Sequence, residues 1–170
     1  MKVLMLGAPG SGKGTQGSRL ADALGVDHIS SGDLLREAVA ADTPIGREVK
    51  SHMDAGRLAP DDVVTEAVLP ALSRRDGYVL DGFPRTLAQA RDAQFDAVVH
   101  LDVPEDELKR RLLQRGREDD REDVIAERLR EYERDTRPLL DHYRDVLVEV
   151  DGDRPEDEIA AELRERVRDA

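Results

Sequence analysis

The 170-residue sequence contains no cysteine, so neither a disulfide framework nor a thiolate metal site can be built from it. Its four histidines, His28, His52, His100 and His142, are far apart and form no His-x-x-x-His pair, so they read as structural or surface residues. No apolar stretch approaches the roughly 18 residues of a membrane span, and there is no signal-peptide pattern. Met1-Lys2 leads straight into a strand-like run, and a soluble, cytoplasmic protein is expected. Lysine is scarce: Lys2, Lys13, Lys50 and Lys109 are the only lysines among 26 basic residues, the other 22 being arginine. The formal net charge of −12 argues against general nucleic-acid binding, which needs a basic face. An anionic ligand must then be held by local positive charge. Such a surface fits adaptation to high salt, and fits high-GC codon usage at least as well.

The length suits one domain with a core of its own, without staples. Five β-rich runs alternate with helical patterns: Lys2–Leu6, Asp27–Ser30, Tyr78–Asp81, Ala97–Asp102 and Val146–Val150. Several are almost wholly apolar, as in a parallel sheet covered on both faces, so the class is α/β. Helical spacing is clear in Val63, Val64, Ala67, Val68 and Leu72, in Leu108 and Leu112, and in Ile159, Leu163 and Val167. The segment 30–59 interrupts the alternation with two helix-like pieces, Leu34–Ala40 and Gly46–Ala55, broken at Thr43-Pro44. It is expected to be inserted on a core of 1–29 and 60–170, hanging over the carboxyl ends of the strands where ligands of such sheets bind. No internal repeat, low-complexity block or linker is evident.

The chemistry starts at Gly7–Thr15, GAPGSGKGT, directly after the apolar run Val3–Leu6. Gly7, four residues, Gly12 and Lys13 make the P-loop spacing, a turn whose backbone N–H groups converge on phosphates while Lys13 adds a point charge. Gly10, Ser11, Gly12, Lys13, Gly14 and Thr15 are the candidate phosphate-binding residues. Ser or Thr usually follows the Lys to hold magnesium, but here Gly14 intervenes before Thr15. Asp81 ends the run Tyr78–Asp81 in the position of a Walker-B carboxylate, and is assigned to magnesium through water. Taken singly it reads equally as a cap on the turn before Gly82.

Further stretches complete the pattern: Ser30-Ser31-Gly32-Asp33-Leu34-Leu35-Arg36, then Asp81-Gly82-Phe83-Pro84-Arg85-Thr86 with Gln89, then Arg115-Gly116-Arg117-Glu118-Asp119-Asp120, and Arg128. From Lys2 to about Pro155 the sequence resembles the adenylate kinases, in the nucleoside monophosphate kinase family. The resemblance implies a P-loop NTPase fold: a five-stranded parallel sheet flanked by helices, with residues 30–59 as a helical NMP-binding insertion. Many adenylate kinases carry a small lid domain, sometimes zinc-bearing, between the arginines matching Arg115 and Arg117. Here Gly116 alone separates them, so the short-lid form is implied, with a loop at about 116–126 and no zinc.

Residue by residue, the resemblance makes Arg36 and Arg85 the clamps on the AMP phosphate, although Arg36 alone would read as a helical arginine paired with Glu37 or Asp33. A guanidinium fork on the loop at Arg85 suits bidentate phosphate binding. Gln89 resembles the residue that reads the adenine edge, and Ser31, Gly32, Leu58 and Gly82 fall at AMP-binding positions. Ser31 stands where threonine is more usual. Arg115, Arg117 and Arg128 look like clamps on the ATP phosphates and the moving group, with salt bridges to nearby carboxylates as the competing reading. Arg111 resembles the arginine stacked on the ATP adenine, and Arg154 matches a loop lining the same pocket through its backbone. Lys13, Arg85, Arg117 and Arg128 are the expected catalytic set.

The expected reaction is reversible phosphoryl transfer, MgATP and AMP giving two ADP, by a monomer with no nucleic-acid or membrane partner. The alternatives are a UMP/CMP kinase of the same family, and a P-loop ATPase or switch module. The latter leaves Arg36, Arg85 and the Arg115–Arg128 cluster without a task.

Overall fold

The computed structural model describes residues 1–91, 93–118 and 120–170. Its centre is a five-stranded, all-parallel sheet of β1 (Lys2–Leu6), β2 (Asp27–Ser30), β3 (Tyr78–Asp81), β4 (Ala97–Asp102) and β5 (Leu147–Asp151), in the order β2-β3-β1-β4-β5. The α/β class and the five-stranded parallel sheet expected from the sequence are both present. One boundary moves: β5 starts at Leu147 and ends at Asp151, because Arg144–Val146 is taken up in a 3-10 turn.

Alternation along the strands divides the core. Val3 and Met5 of β1 pack with Val79, Val99, Val148 and Val150 against Leu20, Ile159, Leu163 and Val167. The last four belong to helices α1 (Lys13–Leu24) and α9 (Glu156–Arg168), which cover that face. Leu4 and Leu6 point the other way, onto Val98, Leu139 and Tyr143. Because β1 is buried on both faces, its sequence reads as a continuous apolar run.

Between β2 and β3 lie α2 (Ser31–Ala40), α3 (Pro44–Asp54) and α4 (Asp61–Leu72). Both insertion helices start three or two residues earlier than apolar spacing alone suggests, because their caps set the start. Ser30 Oγ accepts the Asp33 N–H at 3.3 Å and Thr43 Oγ1 accepts the Gly46 N–H at 3.0 Å. Pro44 then occupies the first turn of α3, where its missing N–H costs nothing. The Thr43-Pro44 break is thus a helix start.

After β3 come the short α5 (Leu87–Ala90), then β4, α6 (Glu105–Arg115) and α7 (Glu122–Glu131). The expected lid loop, 116–126, is shorter than its sequence estimate because α7 already begins at Glu122. Glu122 and Asp123 in that first turn complement the helix dipole. Asp119, within the expected loop, lies outside the described residues. α7 continues into a π turn, Tyr132–Thr136, followed by α8 (Leu139–His142).

Candidate functional site

The carboxyl end of β1, at the middle of the sheet, opens into the turn that leads to α1. Gly12 caps α1 with φ of 90°, a left-handed conformation that a side chain would strain. The first turn of α1 holds no acidic residue and no side-chain cap, so no carboxylate of its own offsets the positive end of the helix. Gly10 packs on α6, where a Cβ would come within 2.9 Å of Leu112 Cγ. Ser11 Oγ is buried with no hydrogen-bond partner among the described residues. Thr15 is exposed on the first turn of α1.

Lys13 is half-buried at the floor of this turn. Burial lowers its pKa from 10.5 to about 8; Asp81 offsets part of that, while Arg85, Arg128 and Arg115 deepen it. An ammonium crowded by three guanidinium groups is stabilised best by an incoming anion.

Asp81, at the end of β3 next to β1, is 6 % exposed. His28 Nε2 stands 3.9 Å from its Oδ2, so this histidine, read from sequence as structural or surface, is placed beside the candidate metal carboxylate. A Cβ on Gly14 would lie 3.4 Å from Asp81 Oδ2. The glycine therefore leaves room beside a hard oxygen donor, an arrangement that fits hydrated magnesium, which keeps several of its waters. Among the described residues no group of three or more His, Cys, Asp or Glu gathers as a metal cage, at Asp81 or elsewhere.

Arginines from the end of α6 and the segment after it converge on Asp120, whose side chain is fully buried. Arg115 donates to both of its oxygens, at 2.8 and 2.7 Å, Arg128 Nη1 donates at 3.1 Å, and the Arg117 backbone N–H donates at 3.0 Å. Burial alone would raise the Asp120 carboxyl, but these bonds and the charges of Arg115 and Arg128 hold it below its ordinary 3.8. The salt-bridge reading and the anion-clamp reading meet here, since one carboxylate holds two guanidinium groups in place beside the cradle. Burial lowers the pKa of the Arg117 guanidinium, as do Arg115 and Arg36, which crowd it.

Arg111 bridges three segments: its guanidinium donates to Glu107 at 2.8 Å, to the Ser11 carbonyl at 3.4 Å and to the Gly152 carbonyl at 3.0 Å. It thus ties the cradle to the loop after β5. Arg154, on that loop, turns its guanidinium to Glu162 of α9 and the Asp151 carbonyl.

A cavity next to the cradle is lined by Lys13, Gly32, Arg36, Leu58, Gly82, Arg85, Gln89 and Arg128, drawn from the insertion, the loop after β3, and α7. Arg36 pairs with Asp33 at 2.5 Å across one helical turn and lies over Gly32. Arg85 is anchored through Nε to the Gly82 carbonyl at 2.8 Å, and its backbone N–H donates to Gln89 Oε1 at 2.7 Å. Burial and the neighbouring Arg36 lower the Arg85 pKa, against the pull of Asp81 and Glu131. The Phe83–Pro84 peptide before it is cis. Ser31 is placed differently: it is 1 % exposed and is not among the cavity-lining residues, with its Oγ where a Cβ on Gly82 would be.

Asp120, Glu131, Thr136 and His28 were not singled out from the sequence. Asp120 stands inside the arginine-rich motif and could have been found there as a buried counter-charge. The others join the site through partners dozens of residues away.

The adenylate kinase family model matches residues 5–148. A Nocardia farcinica adenylate kinase is 47 % identical to this chain, the match covering 94 % of each. One from Corynebacterium aurimucosum is 43 % identical, with the same coverage, and one from a Cyanothece species is 41 % identical over 96 % of this chain and 93 % of its own. With a two-sided arginine site built on a P-loop, and with relatives this similar along nearly the whole length, the chain belongs to the adenylate kinase family.

Proposed function

We propose that this protein transfers the terminal phosphoryl group of MgATP reversibly to AMP, giving two ADP. One observation carries the reading: Arg36, Arg85 and Gln89 line the same cavity as Lys13 and Arg128, so a second anion site faces the phosphate cradle. A phosphate oxygen of AMP attacks the γ-phosphorus in line; the new P–O bond forms as the bond to the β-phosphate oxygen breaks, leaving ADP on both sides. The nucleophile is the substrate's own oxygen, so the chain needs no activated Ser or Cys.

The work of the protein is positioning and charge neutralisation. The 7–13 turn and Lys13 hold the donor phosphates, with Arg111 and the backbone of the Gly152–Arg154 loop at the adenine. Arg36 and Arg85 hold the acceptor phosphate. Gln89, whose carbonyl oxygen is engaged by the Arg85 N–H, offers its NH2 group to the acceptor base, beside Gly32, Leu58 and Gly82. Arg115, Arg117 and Arg128 face the charge that spreads over the moving group. Asp81 would hold magnesium through water, and the ion when bound would supply charge neutralisation for the phosphates. Closure of segment 30–59 and the short loop after α6 over both nucleotides excludes water, which prevents hydrolysis. In this reading the protein is a cytoplasmic monomer acting on ATP, AMP and ADP, without zinc. No helix among the described residues is long and apolar enough to cross a membrane.

The test is to incubate the protein with MgATP and each nucleoside monophosphate in turn and follow diphosphate formation. AMP should be the preferred acceptor. Equal ADP formation with no acceptor present would favour an ATPase, and preference for UMP or CMP would reassign the acceptor. Arg85→Ala should mainly impair use of AMP; unchanged AMP kinetics in that variant would remove Arg85 from the site.

A further inference from the structure

Two buried polar residues of the cavity wall, Glu131 and Thr136, have no part in the phosphate-binding set. They are 8 % and 7 % exposed. Glu131, the last residue of α7, accepts the Leu58 backbone N–H at Oε2, 2.7 Å away and 73 residues distant in sequence. Thr136, the last residue of the π turn, donates from Oγ1 to the Arg85 carbonyl at 2.7 Å, across 51 residues. Each therefore ties a separate segment of the pocket to the same helix: Leu58 belongs to the chain leaving α3, Arg85 to the loop after β3.

Their spacing depends on the π turn. In an α-helix residues five apart stand roughly 140° around the axis, so one of the pair would face away from the cavity. Here the Arg137 N–H donates to the Tyr132 carbonyl at 2.8 Å, closing an i→i+5 turn, and residues five apart come onto one side as residues four apart do in an α-helix. Burial pushes the Glu131 carboxyl up, with the Leu58 N–H bond and then Arg134 at 3.7 Å offsetting this in part. A neutral residue would make a backbone anchor without that cost.

Resting on the AMP reading above, we propose that Glu131 and Thr136 are positioning residues of the acceptor pocket. The π turn is the spacer that sets both toward it, holding the Leu58 backbone and Arg85 at a fixed separation for a nucleoside monophosphate between them.

The test uses Thr136→Val, Thr136→Ser, Glu131→Met and Glu131→Gln, with KM for AMP, KM for ATP, kcat and thermal midpoint measured for each. Loss of one anchoring hydrogen bond should raise KM for AMP about 3- to 10-fold in Thr136→Val and Glu131→Met, while KM for ATP stays within about two-fold. Thr136→Ser and Glu131→Gln, which keep the donor and the acceptor, should restore KM for AMP. The proposal is overturned if Thr136→Val and Glu131→Met leave KM for AMP unchanged, if KM for both substrates rises in parallel, or if the conservative variants do not rescue. Should one variant fail to fold, the other residue still decides. Wild-type protein that does not phosphorylate AMP would overturn the acceptor reading itself, a result separable from any of these.

Discussion

Lys13 carries a charge that the empty protein holds at a cost. Its pKa of about 8 lies below the 10.5 of an unfolded lysine, so the unfolded chain binds the proton more tightly between those values. Stability contributed at this site is therefore lowest below pH 8 and rises with pH through the window from about 8 to 10.5. At one unit per 1.36 kcal/mol, the cost at pH 7 is at most about 3 kcal/mol, less for the part of the side chain that remains solvated. Lys13→Met should consequently raise the urea midpoint of the ligand-free protein while lowering kcat by about three orders of magnitude. A destabilised Lys13→Met, or one with near-normal turnover, would contradict the placement. The same pKa predicts that kcat/KM for ATP declines above about pH 8, with kcat less affected, because the free enzyme must present the ammonium form. Asp120 has the opposite sign: its carboxyl is held below 3.8, so its contribution is present above that value and lost as pH falls through the lower one. Asp120→Ala leaves Arg115 and Arg128 without their shared buried counter-charge, and should lower both the thermal midpoint and kcat/KM for ATP, the latter at least about ten-fold.

At the scale of elements, the insertion is joined to α7 by close backbone approach as well as by the Glu131 bond. Gly56 has φ of 71°, and a Cβ there would come within 2.7 Å of Val124 Cγ1 and of the Val124 carbonyl. Arg121 adds a bond from its guanidinium to the Asp54 carbonyl at 3.1 Å. Gly56→Ala should separate the two and raise KM for AMP more than KM for ATP; titrating each nucleotide separately checks this. These long-range joints mark the limit of what the sequence discloses. The run Lys2–Leu6 and the P-loop spacing are local signals, and each sits where its own physics puts it, whereas the starts of α2 and α3 fall three and two residues before the apolar spacing because the Ser30 and Thr43 caps set them. Arg36 and Arg85 were legible because they accompany recognisable motifs. Glu131 and Thr136 were not: 38 acidic residues make one more glutamate uninformative, and a π turn has no composition of its own. The loop after α6, implied at about 116–126 by the resemblance, ends sooner because Glu122 and Asp123 form the opening of α7.

For the whole molecule, the net charge of −12 works against compactness, and most ion pairs are exposed or one helical turn apart, contributing little each. Screening should therefore relieve more repulsion than it removes attraction. Between about 0.05 and 1 M KCl the thermal midpoint is expected to rise by a few degrees; a fall would mean that the ion pairs dominate. If the acidic surface is an adaptation to salt, activity also persists in molar KCl, and loss of activity with the fold intact would assign the composition to codon usage instead. The strand order has one more consequence. With β1 at the centre, only β2 and β5 present edges. β2 is four residues long and carries Asp27, which Arg75 covers; β5 carries exposed Glu149 and Asp151, and Arg166 occupies the Glu149 carbonyl. Short length, outward carboxylates and a capped carbonyl are what keep a foreign strand from docking on a sheet. The sheet can thus end at five strands without recruiting a sixth from a neighbouring molecule.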